Sequence, residues 1–539
     1  NEIRIEKMTQ NKNWVAKHSL SEEKMDLAMV ILQDVRQGIP VMAAVRRHPG
    51  KQGHISKSIL VAAYNKMVEL GDWEEEPALL ASIRMKPVRT LSGVTTVTVL
   101  TKPYPCPANC IFCPDDARMP KSYLPDEPGA MRAVEHDFDP FDQVTSRLES
   151  LQAVGHPTDK VELLILGGTW SAYRKDYQEW FITRCYDALN GRDATSFKEA
   201  QELNETSNHR NVGLVVETRP DEIDLKEIAW LRHLGVTKIQ MGVQSLDDRI
   251  LMLNNRGHTV EKAHQAVALL RAAGFKIVLH WMPNLLGATI DSDREDFKKL
   301  WVDLCPDEIK IYPTQLLENA PLYAYWQRGE YKPYTQQELV LLLADIKPGI
   351  PRYCRVNRVI RDIPSTHVVE GNKRTSLRQD VHIELAKRGT RCQCIRCREI
   401  REKHVNISDL DMQDEIYEAG GAQEHFISFV TPTDKIAGFI RLSLPGKASP
   451  NVGLSDLEGA ALIREVHVYG QSLAVGEDVS GIAQHSGLGT RLLEEAESIA
   501  QQHGFERISV IAAIGTRHYY LNRGYERGET YLIKNIATI

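Results

Sequence analysis

The chain has 539 residues, enough for about three or four domains. Its 42% hydrophobic and 26% charged residues are those of a soluble globular protein, no apolar run is long enough to cross a bilayer, and no signal-like segment opens it. The net charge of −6 does not favour a nucleic-acid partner, although local distribution matters more than the total.

The first residue is Asn1, so the native start is expected upstream. Residues 1–90 read as helical: "SEEKMDLAMVILQDVRQGIP" spaces its apolar positions at helical period and ends in Gly38 and Pro40. From Val35 to Val68 there is no Asp or Glu, while Arg36, Arg46, Arg47, Lys51, Lys57, Lys66, His48 and His54 fall in that stretch. Such a block could grip phosphates or simply form a solvated helical face.

From residue 93 the period changes. "GVTTVTVLT", "VELLILGG", "VGLVVE", "TKIQMGV", "FKIVLHW" and "DEIKIYP" read as six strands, with helical segments such as "DEIDLKEIAWLRHLG" between most of them. This alternation predicts an α/β fold with a parallel sheet, and six units over about 250 residues suit a partial (β/α)6 barrel over 91–350. Sites in such sheets lie at the carboxyl ends of the strands. There stand Gly167, Gly168 and Thr169, Glu217 and Thr218, Gln244 and Ser245, and His280.

Residues 351–410 are rich in Arg and Cys and predict a linker or small zinc-binding module. Residues 411–539 read as α+β: strands "HFISFV", "KIAGFIRLSL" and "ALIREVHVYG", a helix over about Leu488–Gln502, then "ERISVIAA".

Nine cysteines is an odd number, and two tight clusters of three point to metal ligation in a reducing compartment, hence the cytoplasm. Cys106, Cys110 and Cys113 stand as C-x3-C-x2-C directly after the first barrel strand. A structural zinc is closed by four ligands, whereas three thiolates on a [4Fe–4S] cluster leave one iron open to a small molecule. The segment resembles the radical S-adenosylmethionine (SAM) enzymes; the competing reading is a zinc knuckle that borrows a distant ligand. That resemblance implies SAM chelated on the open iron and cleaved to a 5′-deoxyadenosyl radical. The backbone at Gly167–Thr169 could then approach the methionine amino group, with Glu217, Gln244 and His280 as further cofactor-binding candidates.

Near the other end, "QHSGLGT" (484–490) follows a strand and opens a helix, which places backbone N–H groups where a pyrophosphate is stabilised. With "REVHVYG" before it and "GTRHYYLNRGY" after it, this part resembles the GNAT acetyltransferases. That implies acetyl-CoA as ligand, with Tyr519 or Tyr520 near the thioester; core packing is the other reading for the Tyr pair.

The two parts together, with "GHTVEKA", "VQSLDD", "HWMPNLLG", "KIYPT" and "RVIRDIP", resemble the family of the catalytic subunit of Elongator. The resemblance covers nearly everything after about residue 80. It implies an enzyme that installs a carboxymethyl-type group on C5 of the wobble uridine of transfer RNA from acetyl-CoA and SAM. It also implies cluster binding by Cys106, Cys110 and Cys113. Acetyl-CoA contacts are implied for Lys160, for Glu465, Val466, His467 and Val468, for His485, Ser486, Gly487, Leu488 and Gly489, and for Tyr520. Lys310, in "KIYPT", is a further catalytic candidate. The compact cysteine motif suggests a prokaryotic form acting without the other Elongator subunits, though still needing an electron donor and the anticodon stem-loop of transfer RNA. The rivals are a lysine acetyltransferase with a structural barrel and a scaffold that only holds RNA.

Cys392, Cys394 and Cys397 need a fourth ligand for tetrahedral zinc. Cys354 is the first choice and His404 the second; reduced surface cysteines are the alternative. Cys185 and Cys305 read as ordinary buried cysteines.

Overall fold

The computed structural model describes residues 20–51, 53–87, 90, 92–401, 407–469 and 487–537. The described residues divide into two compact units: 20–95 with Thr145–Asp159, and the remainder.

In the first unit the helices Glu22–Arg36, Val41–Arg47, Lys57–Glu69 and Pro77–Ile83 close on a core of Ala28, Ile31, Leu32, Leu60, Val61 and Ile83. Ser21 caps the first helix through its hydroxyl, and Gly38 ends the following turn with φ +92°. The stretch without acids is not left unanswered in three dimensions. Asp34, just before it, lies 3.0 Å from His48 and 3.8 Å from Arg47, Glu76 takes Arg36 at 2.5 Å, and Glu23 takes Lys51 at 3.4 Å. Arg46 remains exposed outside these pairs.

In the second unit, β1 (Thr95–Leu100), β2 (Lys160–Leu166), β3 (Arg210–Thr218), β4 (Lys238–Gln244), β5 (Lys276–Trp281), β6 (Glu308–Ile311) and β7 (Arg355–Arg358) form one sheet in sequence order. From β2 to β7 each pair is parallel. The six strands expected from apolar patterning are present, and β7 adds a seventh from the segment read as a linker. That segment also holds the helix Leu377–Lys387, whose Leu377, Val381 and Leu385 are buried.

A second sheet runs β13 (Glu526–Arg527), β14 (Leu532–Asn535), β12 (Arg507–Val510), β11 (Ala460–Val468), β10 (Ile436–Pro445), β9 (Ala422–Val430), β8 (Asp411–Ala419). β8 to β11 are antiparallel, and β11 pairs parallel with β12. The helix Leu488–Gln502 covers one face, burying Leu488, Leu492, Leu493 and Ala496 on Ile427, Ile440, Ile463 and Ile508. Among the described residues, no helix is long and apolar enough to cross a membrane.

Candidate active site

The loop after β1 carries Cys106, Cys110 and Cys113; Cys110 is buried and the other two are half-buried. Cys106 Sγ lies 3.7 Å from Thr169 Oγ1, and Arg256 Nη1 donates to Cys110 Sγ at 3.7 Å. The hydrogen bond from Cys113, together with the charges of Arg256 and Arg219, outweighs burial and lowers the Cys110 thiol to about 5, while Cys113 is raised.

The strand ends gather round this loop. Gly167 has φ +137°, and a Cβ there would lie 1.9 Å from Thr101 Oγ1, so only glycine lets the backbone pass. Gln244 is left-handed (φ +72°), and its side-chain Oε1 is buried without a partner, as are Arg219 Nη1 and Arg256 Nε. Buried polar atoms are rarely left alone, although the structure has others elsewhere, among them Trp301 Nε1 and Lys347 Nζ. Sequence patterning had singled out neither Arg219 nor Arg256: an arginine in a loop carries no period.

Charged and polar side chains stand at several levels of the half-barrel interior, beside apolar ones such as Val278, where barrel lumens are ordinarily filled with Val, Ile and Leu. At the amino ends of the strands, Lys238 pairs with Glu162 at 2.5 Å and faces Glu308 at 3.6 Å. Lys276 lies 3.6 Å from Glu308 and also binds Glu465 of β11. One pleat further, Gln240 Oε1 accepts from Lys310 and lies 3.3 Å from His280 Nε2. At the carboxyl ends, His280 Nδ1 is 3.4 Å from Glu217 Oε1, and Tyr123 donates to Glu217 Oε2 at 3.0 Å. Burial keeps His280 neutral well below its ordinary value, with Lys310 and Arg361 adding to the effect. Burial also lowers Lys310 to about 8 despite the nearby Glu217. Lys160 opens β2 at the amino end, beside Arg210 of β3.

The second sheet meets that amino end. Gly515 packs against Arg210 and Asn211, and Arg517 pairs with Glu205 at 3.1 Å. In β11 the pairing with β12 stops at Ile463↔Val510, whereas β10 still pairs through Glu465, Val466, His467 and Val468. The strands therefore splay from Glu465 onward. Gly487, left-handed at φ +73°, caps the helix Leu488–Gln502. A Cβ on Gly489 would fall 2.5 Å from the Tyr519 hydroxyl. Tyr519 is half-buried under Arg523, whose guanidinium lies 3.8 Å from the ring, and Tyr520 is buried in the core beside it. His485 and Ser486 lie outside the described residues.

Cys392, Cys394 and Cys397 present their sulfurs within 4.8 Å of one another. Neither Cys354, the fourth ligand expected from sequence, nor His382 is in that group; Cys354 is buried with Cys394 among the charges that act on it, and its carbonyl accepts from the Ile395 N–H at 2.9 Å. His382 brings Nε2 to 3.9 Å from Cys397 Sγ. The helix Leu377–Lys387 supplies that histidine, which no spacing rule ties to the cysteines. His404 lies outside the described residues. Cys185 and Cys305 are buried.

Comparison with known proteins agrees with this layout. The radical SAM superfamily pattern matches residues 104–300, the radical SAM C-terminal domain 306–387, and the acetyltransferase (GNAT) family 395–525. The chain is thus a radical SAM protein that carries a GNAT acetyltransferase domain. It is 42% identical over 480 residues to a tRNA uridine(34) acetyltransferase of Methanocaldococcus infernus, covering 86% of this chain and 89% of that one. It is 35% identical to the Elongator complex protein 3 of Homo sapiens, over 85% of this chain and 86% of the relative. The structure of the archaeal Methanocaldococcus infernus Elp3 with an N-terminal deletion superposes with TM-score 0.73 at 38% identity, covering 82% of this chain and 99% of that one. The chain belongs to this family, the tRNA uridine(34) acetyltransferases and Elongator complex protein 3.

Proposed function

We propose that this enzyme installs a carboxymethyl-type group on C5 of the wobble uridine of transfer RNA, with acetyl-CoA as the carbon donor. The observation that carries the reading is the joining of two ends of one half-barrel. An open cysteine trio stands at the carboxyl ends of its strands and a splayed β11 at the amino ends, with charged and polar side chains between them. Four residues of β5, about 13 Å of strand, separate Lys276 from His280.

Cys106, Cys110 and Cys113 hold a [4Fe–4S] cluster, and Arg256 and Arg219 offset the charge of the Cys110 thiolate. With SAM bound, that cluster supplies a one-electron cleavage giving a carbon-centred radical. Gly167, Gly168 and Thr169 lend backbone to the SAM amino group, while Glu217, Gln244 and His280 line its place. At the other end Glu465, Val466, His467 and Val468 hold the pantetheine arm by their unpaired backbone edge. His485, Ser486, Gly487, Leu488 and Gly489 bind the pyrophosphate at the helix start. Tyr519 or Tyr520 sits at the thioester, Lys160 contacts acetyl-CoA, and Lys310 holds or yields a proton midway along the lumen. Cys392, Cys394 and Cys397 bind a structural zinc, with Cys354 or His382 as the fourth ligand. The segment 1–90 holds the anticodon stem-loop, 91–350 is the barrel, 351–410 the zinc-binding linker and 411–539 the GNAT domain. An electron donor is required; the enzyme works in the cytoplasm, away from membranes and without Elongator accessory subunits.

The test uses acetyl-CoA deuterated on the methyl group, with SAM, a reductant and transfer RNA under anaerobic conditions. The reading expects deuterium in 5′-deoxyadenosine and two acetyl-derived carbons on uridine C5. Modified uridine formed alongside 5′-deoxyadenosine without deuterium would show that the radical acts on another atom, and modified uridine without acetyl-derived carbons would overturn the proposed donor.

A further inference from the structure

Beside the cluster loop runs a ladder of aromatic rings that the proposed chemistry leaves unused. Tyr104, two residues before Cys106, stacks on Tyr173 with centroids 4.6 Å apart; Tyr173 stacks on Tyr177 at 5.3 Å; Tyr177 meets Trp180 at 5.6 Å. Tyr173, Tyr177 and Trp180 follow one stripe at helical spacing into the helix Lys175–Asn190. The ladder is fastened to the cluster end of the barrel, since the Tyr173 hydroxyl accepts from Thr101 Oγ1 at 2.7 Å and donates to the Lys102 carbonyl at 2.8 Å. Its ends are open: Tyr104 is 37% and Trp180 44% exposed. The Lys102 ammonium lies 4.8 Å from the Tyr177 ring centroid, and among the described residues no carboxylate pairs with it. Arg174, also exposed, is already bound by Asp176.

We propose that this ladder is a stacking platform for the single-stranded RNA bases that flank the target uridine, with Lys102 answering their phosphates. The inference rests on the transfer RNA reading above. A base that is modified at the barrel mouth must leave its stack, and its neighbours then lose a stacking face. An exposed tyrosine in the cluster loop, with an exposed tryptophan at the far end of the same ladder, restores one, and every base has a π-face to offer them. Rings that served only to pack the helix would be buried along the whole stripe, as Tyr173 is. The nearby cation selects a polyanion over an apolar partner.

The experiment uses the full chain and an anticodon stem-loop RNA carrying 2-aminopurine immediately 5′ or 3′ of the target uridine. Binding to the wild type should quench the 2-aminopurine. Tyr104→Leu or Trp180→Leu should abolish the quenching and weaken binding about 5- to 150-fold, whereas Tyr104→Phe and Trp180→Phe should retain both. Melting curves of the Leu variants report whether they fold. If either does not, RNA-induced quenching of Trp180 emission, read as the wild type minus Trp180→Phe, carries the test instead. Tight binding by the wild type with no quenching at either position, no change in Trp180 emission and undiminished affinity in the Leu variants would overturn the platform. Failure of the wild type to bind or modify any RNA would overturn the transfer RNA reading itself.

Discussion

Arg464 of β11 and Asp307, at the entry to β6, form an ion pair that ties the GNAT sheet to the barrel, with Nη1 3.1 Å from Oδ1 and neither side chain exposed. Arg441 and Arg271 also face Asp307, at 3.5 and 3.9 Å, and Glu424 takes Arg464 at 2.7 Å. Removing one partner of such a buried group leaves uncompensated charge. Asp307→Asn should therefore cost about 3–5 kcal/mol, read by denaturant unfolding.

The same cluster sets an acid limit. Burial by itself would raise the Asp307 carboxyl, but Arg464, Arg441 and Arg271 overcome it and hold the group well below the usual range. A depressed carboxylate contributes stability in full above its unfolded value of about 3.9 and loses it as pH falls toward the folded value. Thermal melts should show the wild type losing stability below about pH 4 more steeply than Asp307→Asn.

Serine at Cys106, Cys110 or Cys113 should abolish the broad absorbance near about 400 nm of an anaerobically reconstituted cluster. The GNAT core, built from Ile427, Ile463 and Leu492 far along the chain, should still melt cooperatively. Unaltered spectra in all three variants would show that these thiols hold no cluster.

Gly167→Ala should be more damaging than Gly191→Ala. Both glycines have positive φ, but an added Cβ at Gly191 meets nothing within 4 Å, whereas at Gly167 it meets the Thr101 hydroxyl at 1.9 Å. The strain common to both is about 1–3 kcal/mol; only Gly167→Ala must also shift the cluster-side backbone, which should appear as lost SAM binding in equilibrium dialysis.

Replacing the fourth ligand, by Cys354→Ser or by His382→Ala, should lower the zinc content of purified protein as much as Cys392→Ser does. Elemental analysis decides between the two fourth ligands. Retention of full zinc in His382→Ala, with loss in Cys354→Ser, would support the ligand set expected from sequence.

Lys310, lowered to about 8 by burial, should imprint an ionisation near that pH on the rate of uridine modification, absent in Lys310→Met. Stability should again rise with pH, as for Asp307, but here because a charge is penalised rather than favoured. The buried ammonium is penalised below about 8, and the penalty fades as pH rises toward the unfolded value of about 10.4. The wild type should accordingly gain on Lys310→Met across that window in thermal melts.

Much of this protein was written in local pattern. The strands β1 to β6, the helix Leu488–Gln502 and the two cysteine trios are all short-range signals, because apolar period and ligand spacing act over a few neighbouring residues. Tertiary structure decided the rest. "RVNR" has no apolar alternation to announce β7; it becomes a strand because its backbone pairs with β6. His382 reaches Cys397 only because a helix fifteen residues upstream folds back on the cysteines. Alternation along β4, β5 and β6 could place Lys238, Lys276, Glu308 and Lys310 on one face, but not say that this face would be closed into a charged lumen leading to Glu465. The stretch Val35–Val68 looked uniformly basic until Asp34, Glu23 and Glu76 came alongside it. In each case the missing information is a contact between residues distant in the chain, which depends on chain closure and on the burial of charge against its complement rather than on any residue's immediate neighbours.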